Sequence, residues 1–282
     1  MNLYKYQGEL ISNTDFVKKL SEYIDIGDTI NLQIDTTRFG KLCKGFGKLE
    51  FLEAMFNIFY QLVGDKGNII IPSFSYSWGM DSPKKFYDVN YTPSKVGIFP
   101  EYFRKRNDVT RTLDPMFSYC IFGKDKENLL KNNSKTSFGK GSLFEKIHNM
   151  PAKLISFGLK RYDPTFVHYC EQYFHENVEE LNYRFIKKFE GTIVDYDGRE
   201  FLDHHYCFSR HLDKYVNWHF DERRLVKDLL KFQLINRVQI GNAFIWISDT
   251  QAVFDIIIKG LSNNKHYLIN KNEGIKLCTD TI

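Results

Sequence analysis

His168 and Glu171 are the two residues of this chain best suited to move a proton. They lie three positions apart in Pro164-Thr165-Phe166-Val167-His168-Tyr169-Cys170-Glu171-Gln172-Tyr173. If Phe166 to Phe174 is helical, that spacing puts both side chains on one face, where the carboxylate can fix the imidazole's tautomer and raise its basicity. An imidazole held this way is a general base able to take a proton from an incoming nucleophile at neutral pH. A satisfied, half-buried histidine on an amphipathic helix fits the same pattern, and the stretch alone leaves both readings open. Cys170, two positions beyond His168, does not share that face, so a thiol nucleophile served by the imidazole is not expected.

The stretch follows Leu154-Ile155-Ser156-Phe157-Gly158, an apolar run closed by glycine that reads as a buried strand delivering a loop and a helix start. Upstream, 14–24 reads as a first helix, 29–34 as an alternating strand, and 49–63 as a long helix. Between strand and long helix stand Asp35-Thr36-Thr37-Arg38-Phe39-Gly40 and Gly45-Phe46-Gly47. A strand, a loop of hydroxyls and glycines, and a helix amino terminus can cradle an anion, because backbone N–H groups and the helix dipole point the same way. The spacing is neither the P-loop nor the dinucleotide pattern, and an ordinary capped connection explains it equally well.

Asn68-Ile69-Ile70-Ile71-Pro72 is apolar enough for a central strand, and it ends in Ser73-Phe74-Ser75-Tyr76-Ser77-Trp78. Ligands of α/β sheets gather at the carboxyl ends of strands, so this run is a candidate pocket wall. Residues 79–100 read as loop. Arg111, Thr112 and Asp114 precede a strand near 117–123, a second place where polar groups converge, and 142–148 reads as a short helix. Beyond Asn182 the pattern turns antiparallel: strands at 183–189 and 192–196, a hairpin turn at Asp197-Gly198, a helix at 225–232, a strand at 243–247 and a last helix at 249–259.

With 282 residues, 43% of them hydrophobic, the chain can bury a sizeable core. No window approaches a membrane span, and no signal-peptide core precedes Gln33. The five cysteines are scattered without a C-x-x-C pair, which argues against a disulfide framework and a structural zinc site and fits a reducing cytoplasm. His204, His205, His211 and His219 lack supporting ligand spacing, so no metal is expected. A net charge of +4 without a basic block gives no nucleic-acid stripe and favours a small anionic ligand.

Read together, these loops resemble the aminoglycoside N3-acetyltransferase family from about Tyr23 to Ile269. The resemblance rests on Gly27-Asp28-Thr29 with Asp35-Thr36-Thr37; Gly64-Asp65-Lys66-Gly67 with Ile71-Pro72-Ser73-Phe74; and Thr92-Pro93-Ser94-Lys95-Val96-Gly97 with Pro100 and Arg104. It continues through Arg111-Thr112, Pro115 and Ser118, through Phe138-Gly139-Lys140-Gly141-Ser142, and through Thr165, His168 and Glu171. It implies one α/β domain over 1–282, a central mixed β-sheet flanked by helices. The donor-binding and catalytic part would span about 1–181 and a more antiparallel part about 182–282.

The implied reaction is metal-free transfer of an acyl group from a coenzyme A thioester to a sugar amine. By the resemblance, His168 is the base, Glu171 its partner, and Thr112 a donor near the thioester carbonyl. Thr36, Thr37, Arg38, Gly45, Phe46, Gly47, Ser73, Phe74 and Arg111 would hold the coenzyme, and Asp35, Tyr76, Trp78, Asp88 and Asp114 the acceptor. The chain departs from the resistance enzymes at Asp35, where histidine is usual, and at Arg111-Thr112-Leu113-Asp114-Pro115, which stands for Arg-Ser-x-His-Pro. An aminoglycoside is a polycation and calls for an acidic cleft, whereas this chain is net basic. A nucleotide-linked amino sugar of bacterial polysaccharide synthesis is the expected acceptor, and an aminoglycoside is the alternative. Acetyl or a short hydroxyacyl is the expected group, with coenzyme A or an acyl carrier protein as donor. The aromatic carboxyl-terminal half could supply a homodimer surface.

Overall fold

The protein is described by a computed structural model covering residues 1–79, 81–131, 134–211, 215 and 217–271. Two strands that the sequence pattern does not announce, β1 (Asn2–Tyr6) and β2 (Glu9–Ser12), open the chain. Helix α1 (Asn13–Leu20) starts from a reciprocal cap, with Ser12 Oγ accepting the Asp15 N–H and the Asp15 carboxylate accepting the Ser12 N–H. It stops at Leu20, short of the expected Ile24, where Ser21 turns its hydroxyl back to Lys18 O and Asp28 takes the Asp25 N–H.

The alternation of strands and helices then follows: β3 (Thr29–Ile34), β4 (Lys41–Leu42), α2 (Lys48–Val63) and β5 (Asn68–Pro72). Next come β6 (Phe86–Asp88), α3 (Ile98–Arg104), β7 (Thr110–Arg111), β8 (Tyr119–Gly123) and α4 (Lys126–Leu130). They are followed by α5 (Leu143–His148), β9 (Ala152–Phe157) and α6 (Phe166–Asn177). The remainder is β10 (Arg184–Val194), β11 (Glu200–Arg210), β12 (Trp218–Phe220), α7 (Arg223–Lys231), β13 (Ile235–Ile240), β14 (Ala243–Asp249), α8 (Thr250–Asn263) and β15 (Ile269–Lys271).

Seven strands form one mixed sheet in the order β13-β14-β9-β3-β5-β8-β7. The central β9, β3 and β5 are parallel, and β14 and β8 run against them. Alternate residues of the same strands feed two cores, as a pleated sheet covered on both faces requires. Ile69, Ile71 and Ile155 pack with α1, α2 and α3, while Ile70 and Leu154 pack with α5, α6 and α8.

In the carboxyl-terminal part, 184–194 is one unbroken strand rather than two. Its ladder with β11 stays in register from Arg184↔Arg210 to Val194↔Glu200. Gly191, in the gap between the two expected strands, lies inside β10, and a Cβ there would meet Lys85 O at 2.3 Å and the Trp78 indole at 2.5 Å. The second hairpin, β13–β14, joins the central sheet beside β9. Among the described residues no helix is long and apolar enough to cross a membrane.

Gly158 ends β9 with φ +73°, and a Cβ there would lie 2.3 Å from Asp35 O and 2.8 Å from the Phe39 ring. Gly158→Ala is expected to lower unfolding free energy by about 1–3 kcal/mol, read from the denaturant midpoint, because strain and clash coincide.

Candidate active site

β9 and the loop after it deliver the amino end of α6 to the carboxyl ends of the parallel strands β3 and β9, where sheets of this kind collect ligands. Thr165 Oγ1 accepts a hydrogen bond from Gln33 Nε2 at 2.9 Å, tying the start of α6 to the end of β3. Val167, Cys170 and Phe174 sink into the core. That places His168 and Glu171 on the adjoining face, as their spacing predicts.

His168 Nδ1 lies 2.8 Å from Glu171 Oε2. The Glu171 side chain is fully buried, and that of His168 keeps 23% exposure. Glu171 is bound on its other oxygen by the Tyr183 hydroxyl, which donates to Oε1 at 2.8 Å. Arg184 Nε stands 2.9 Å from Oε2, near enough for an ion pair though not aligned as a hydrogen bond. Burial pushes the Glu171 carboxyl upward, but Arg184, His168 and Tyr183 outweigh it and lower it to about 2. Burial first, and the Arg184 cation second, hold the His168 imidazole below its ordinary value. Two groups meet Nδ1, the Glu171 carboxylate and the donor-only Arg184 Nη2 at 2.9 Å. The anion is the stronger partner, so we assign the Nδ1 proton to the bond with Glu171, and Arg184 Nη2 then stands against Nδ1 as a charge and not as a hydrogen-bond donor. That leaves Nε2 as the free, basic nitrogen.

Sequence reasoning found the histidine and its carboxylate but missed Tyr183 and Arg184. The only signal was their place in the first strand after α6, which does not single them out from other aromatic and basic residues.

The other expected site residues are scattered. Asp35 is occupied within its own loop, where its carboxylate accepts from Thr37 N–H, the Thr37 hydroxyl and Arg38 Nε at 2.9, 2.6 and 3.1 Å. Thr36 is buried, its carbonyl accepting from the Tyr4 hydroxyl. Gly47 caps α2 without a side-chain bond, and a Cβ at Gly45 or Gly47 would meet open space, so this helix end is clear for an anion. Phe46 stacks on Phe51 beside it. Ser73 and Arg111 face inward instead: Arg111 Nε bonds Ser73 Oγ and Ser118 Oγ at 3.1 Å, and its terminal nitrogens bond Ser73 O and Thr92 O. These bonds clamp the end of β5 to β8 and the loop at Thr92.

Asp88 accepts the Asn90 and Tyr91 N–H groups and shapes its own turn. Asp114 accepts from Met116 and Phe117 N–H and lies 3.3 Å from the buried His205. Thr112 Oγ1 accepts the Tyr119 N–H at 3.0 Å. Thr112 and Asp114 line a cavity of about 40 Å³ that also touches Phe117 and Ser137. Phe117 packs on Phe138 at 4.8 Å and Phe138 on His168 at 5.4 Å, so one aromatic layer separates this cavity from the base. A much larger cavity, about 1210 Å³, opens against β7 and includes neither His168 nor Glu171. Most of its cations are already paired, Arg104 and Lys105 with Glu101, and Arg106 with Glu53 and Asp108.

Of the expected aromatic wall, Phe74 and Trp78 are buried and Tyr76 alone is partly exposed, with φ +49°. Trp78, 1% exposed, packs with Tyr87, Val89, Met116 and Ile193. Trp78→Ala is therefore expected to cost about 3–5 kcal/mol of stability with little change in KM, checked by denaturant unfolding beside acceptor titration.

A family model for aminoglycoside 3-N-acetyltransferase matches residues 35–262. No curated protein matches. Among solved structures, aminoglycoside acetyltransferase AAC(3)-Xa superposes with a TM-score of 0.73 at 14% identity, covering 92% of this chain and 94% of that one. A structure described as AAC-IIIb binary with CoASH gives 0.71 at 17% identity, over 90% of this chain and 97% of that one. YokD from Bacillus subtilis gives 0.71 at 17% identity, over 90% and 94%.

Proposed function

Because the chain belongs to the aminoglycoside 3-N-acetyltransferase family and is thereby an enzyme that transfers acyl groups to amines, we propose how its own residues carry that transfer and to what. An ammonium must lose a proton before it can attack, and His168 Nε2 is placed to accept it while Glu171 holds Nδ1–H. The observation that carries this reading is the fully buried, doubly held Glu171 behind a partly exposed imidazole. When bound, coenzyme A would supply the acyl group as an activated thioester.

The clear amino end of α2 with Gly45 and Gly47 suits the coenzyme's phosphates. Beneath the start of α6, Gln33 Oε1 and Ser156 Oγ are buried without a partner in the protein, beside the Tyr119 hydroxyl, whose nearest polar groups are Asn31 and Thr165. Unpaired groups of this kind are costly, and they suit the amide-bearing arm of the same molecule or ordered water.

For the acceptor we favour an anionic, nucleotide-linked amino sugar. The chain's charge of +4 supports it, and so does Arg210, which lies close enough to the base to oppose its protonation. A second reading, an aminoglycoside acceptor, is favoured by the family's description and by a structural neighbour described as AAC-VIa bound to sisomicin. Thiol release from acetyl coenzyme A with nucleotide-linked amino sugars and, separately, aminoglycosides decides between them. Release with the former alone is expected, and release with the latter alone would overturn the choice of acceptor. A longer acyl coenzyme A or an acyl-carrier thioester, run beside acetyl coenzyme A, reads the donor.

A further inference from the structure

Arg184 and Arg210 are direct partners across the β10–β11 ladder. Like charges so placed repel. Arg184 is moreover only 7% exposed, so its charge needs compensating partners close by. Its Nη1 donates to Phe208 O at 2.9 Å, which fixes the guanidinium, and its Nη2 then lies 2.9 Å from His168 Nδ1. The same group stands 2.9 Å from Glu171 Oε2. One cation thus touches both members of the pair.

A carboxylate alone beside an imidazole favours the imidazolium, and a base already carrying its proton accepts no other. The groups facing His168 are Glu171 on its own helix, Arg184 from β10 and Arg210 from β11. The Tyr183 hydroxyl sits on the far oxygen of Glu171, and the Phe138 ring lies against the imidazole. The carboxylate's negative charge is already matched by Arg184, and a protonated imidazole would add a further cation to a desolvated cluster.

We propose that Arg184 is a positioning residue that keeps His168 neutral, by pairing with Glu171 so that the carboxylate orients the imidazole without charging it. This rests on the role of His168 as the base. Glu171 then acts as an acceptor for Nδ1–H, and Nε2 is left bare at neutral pH. The direction in which burial and Arg184 move the imidazole agrees with this.

The test follows the His168 imidazole by NMR across pH in the full-length protein, in wild type, Arg184→Gln and Arg184→Lys. In wild type the imidazole is expected to titrate below the ordinary value of about 6.5, or to stay neutral until acid unfolding. Arg184→Gln is expected to raise it by about one unit or more, and Arg184→Lys to restore most of the difference. The acid limb of kcat/KM is expected to move with it, a roughly tenfold loss below the limb for each unit. Acetyl coenzyme A affinity should stay unchanged.

A wild-type imidazole titrating at or above the ordinary value would overturn the proposal, whether or not the variants fold. So would an Arg184→Gln protein that loses rate equally at every pH with its imidazole unmoved, since that is a purely structural effect. The titration needs no turnover. A protein inactive on every acceptor would count against the acyltransfer reading and leave this result standing.

Discussion

His168→Asn is expected to lower kcat for acyl transfer by about 10²–10⁴-fold, the usual worth of a positioned general base. Asparagine retains a polar group on the face shared with Glu171 but has no nitrogen that can accept a proton at neutral pH. Donor binding should survive, because neither the amino end of α2 nor the unpaired groups under α6 belong to the imidazole. Initial rates at saturating donor and acceptor, set beside calorimetric binding of coenzyme A, separate the two effects. The deficit should shrink at high pH, where the acceptor amine loses its proton unaided. A uniform deficit would mean that His168 positions the acceptor rather than deprotonating it.

Glu171→Ala is expected to be the most destabilising single change at the site, by about 3–5 kcal/mol. It leaves the Arg184 cation buried without its counter-charge and the Tyr183 hydroxyl without its acceptor. For a chain of this size that is a fall of roughly 10 °C in Tm. The pH dependence has a definite sign. The folded carboxyl sits at about 2, below its ordinary 4.5, so its contribution is complete above about pH 4.5 and is lost as pH falls towards 2. Thermal melts of wild type and variant should differ most near neutrality and converge across that acid window. A constant difference down to pH 2 would show that the carboxylate's charge is not what stabilises.

The His168–Glu171 pair was legible because its geometry is local: two residues one helical turn apart, behind a strand that could end only in a loop. Arg184 and Tyr183 were not, because they reach Glu171 across the packing of α6 against the β10–β11 hairpin, a contact no spacing rule encodes. The order of strands and helices that builds the central sheet was legible from periodicity. β13, with only its two end residues buried, carries little apolar pattern, and β1 and β2 are too short to stand out.

Polar residues at strand ends were the most ambiguous class. Asp35, Ser73 and Arg111 have the residue types of a ligand site, yet their hydrogen bonds hold the loops that frame it. Trp78 shows the same ambiguity in an aromatic, since its place in the run after β5 could not reveal that Gly191 clears a pocket for its ring. The family came through because its signature is a series of loop motifs in order, while the acceptor depends on surfaces those motifs do not describe.

The most direct test of the central claim incubates the protein with acetyl coenzyme A and an amine-bearing sugar acceptor. Free thiol and N-acetylated acceptor are measured together, in wild type and in His168→Asn. Expected is thiol release matched one for one by amide product in wild type, and both falling together by orders of magnitude in the variant. Thiol release without amide product, or amide formation undiminished in the variant, would contradict acyl transfer to an amine with His168 as its base.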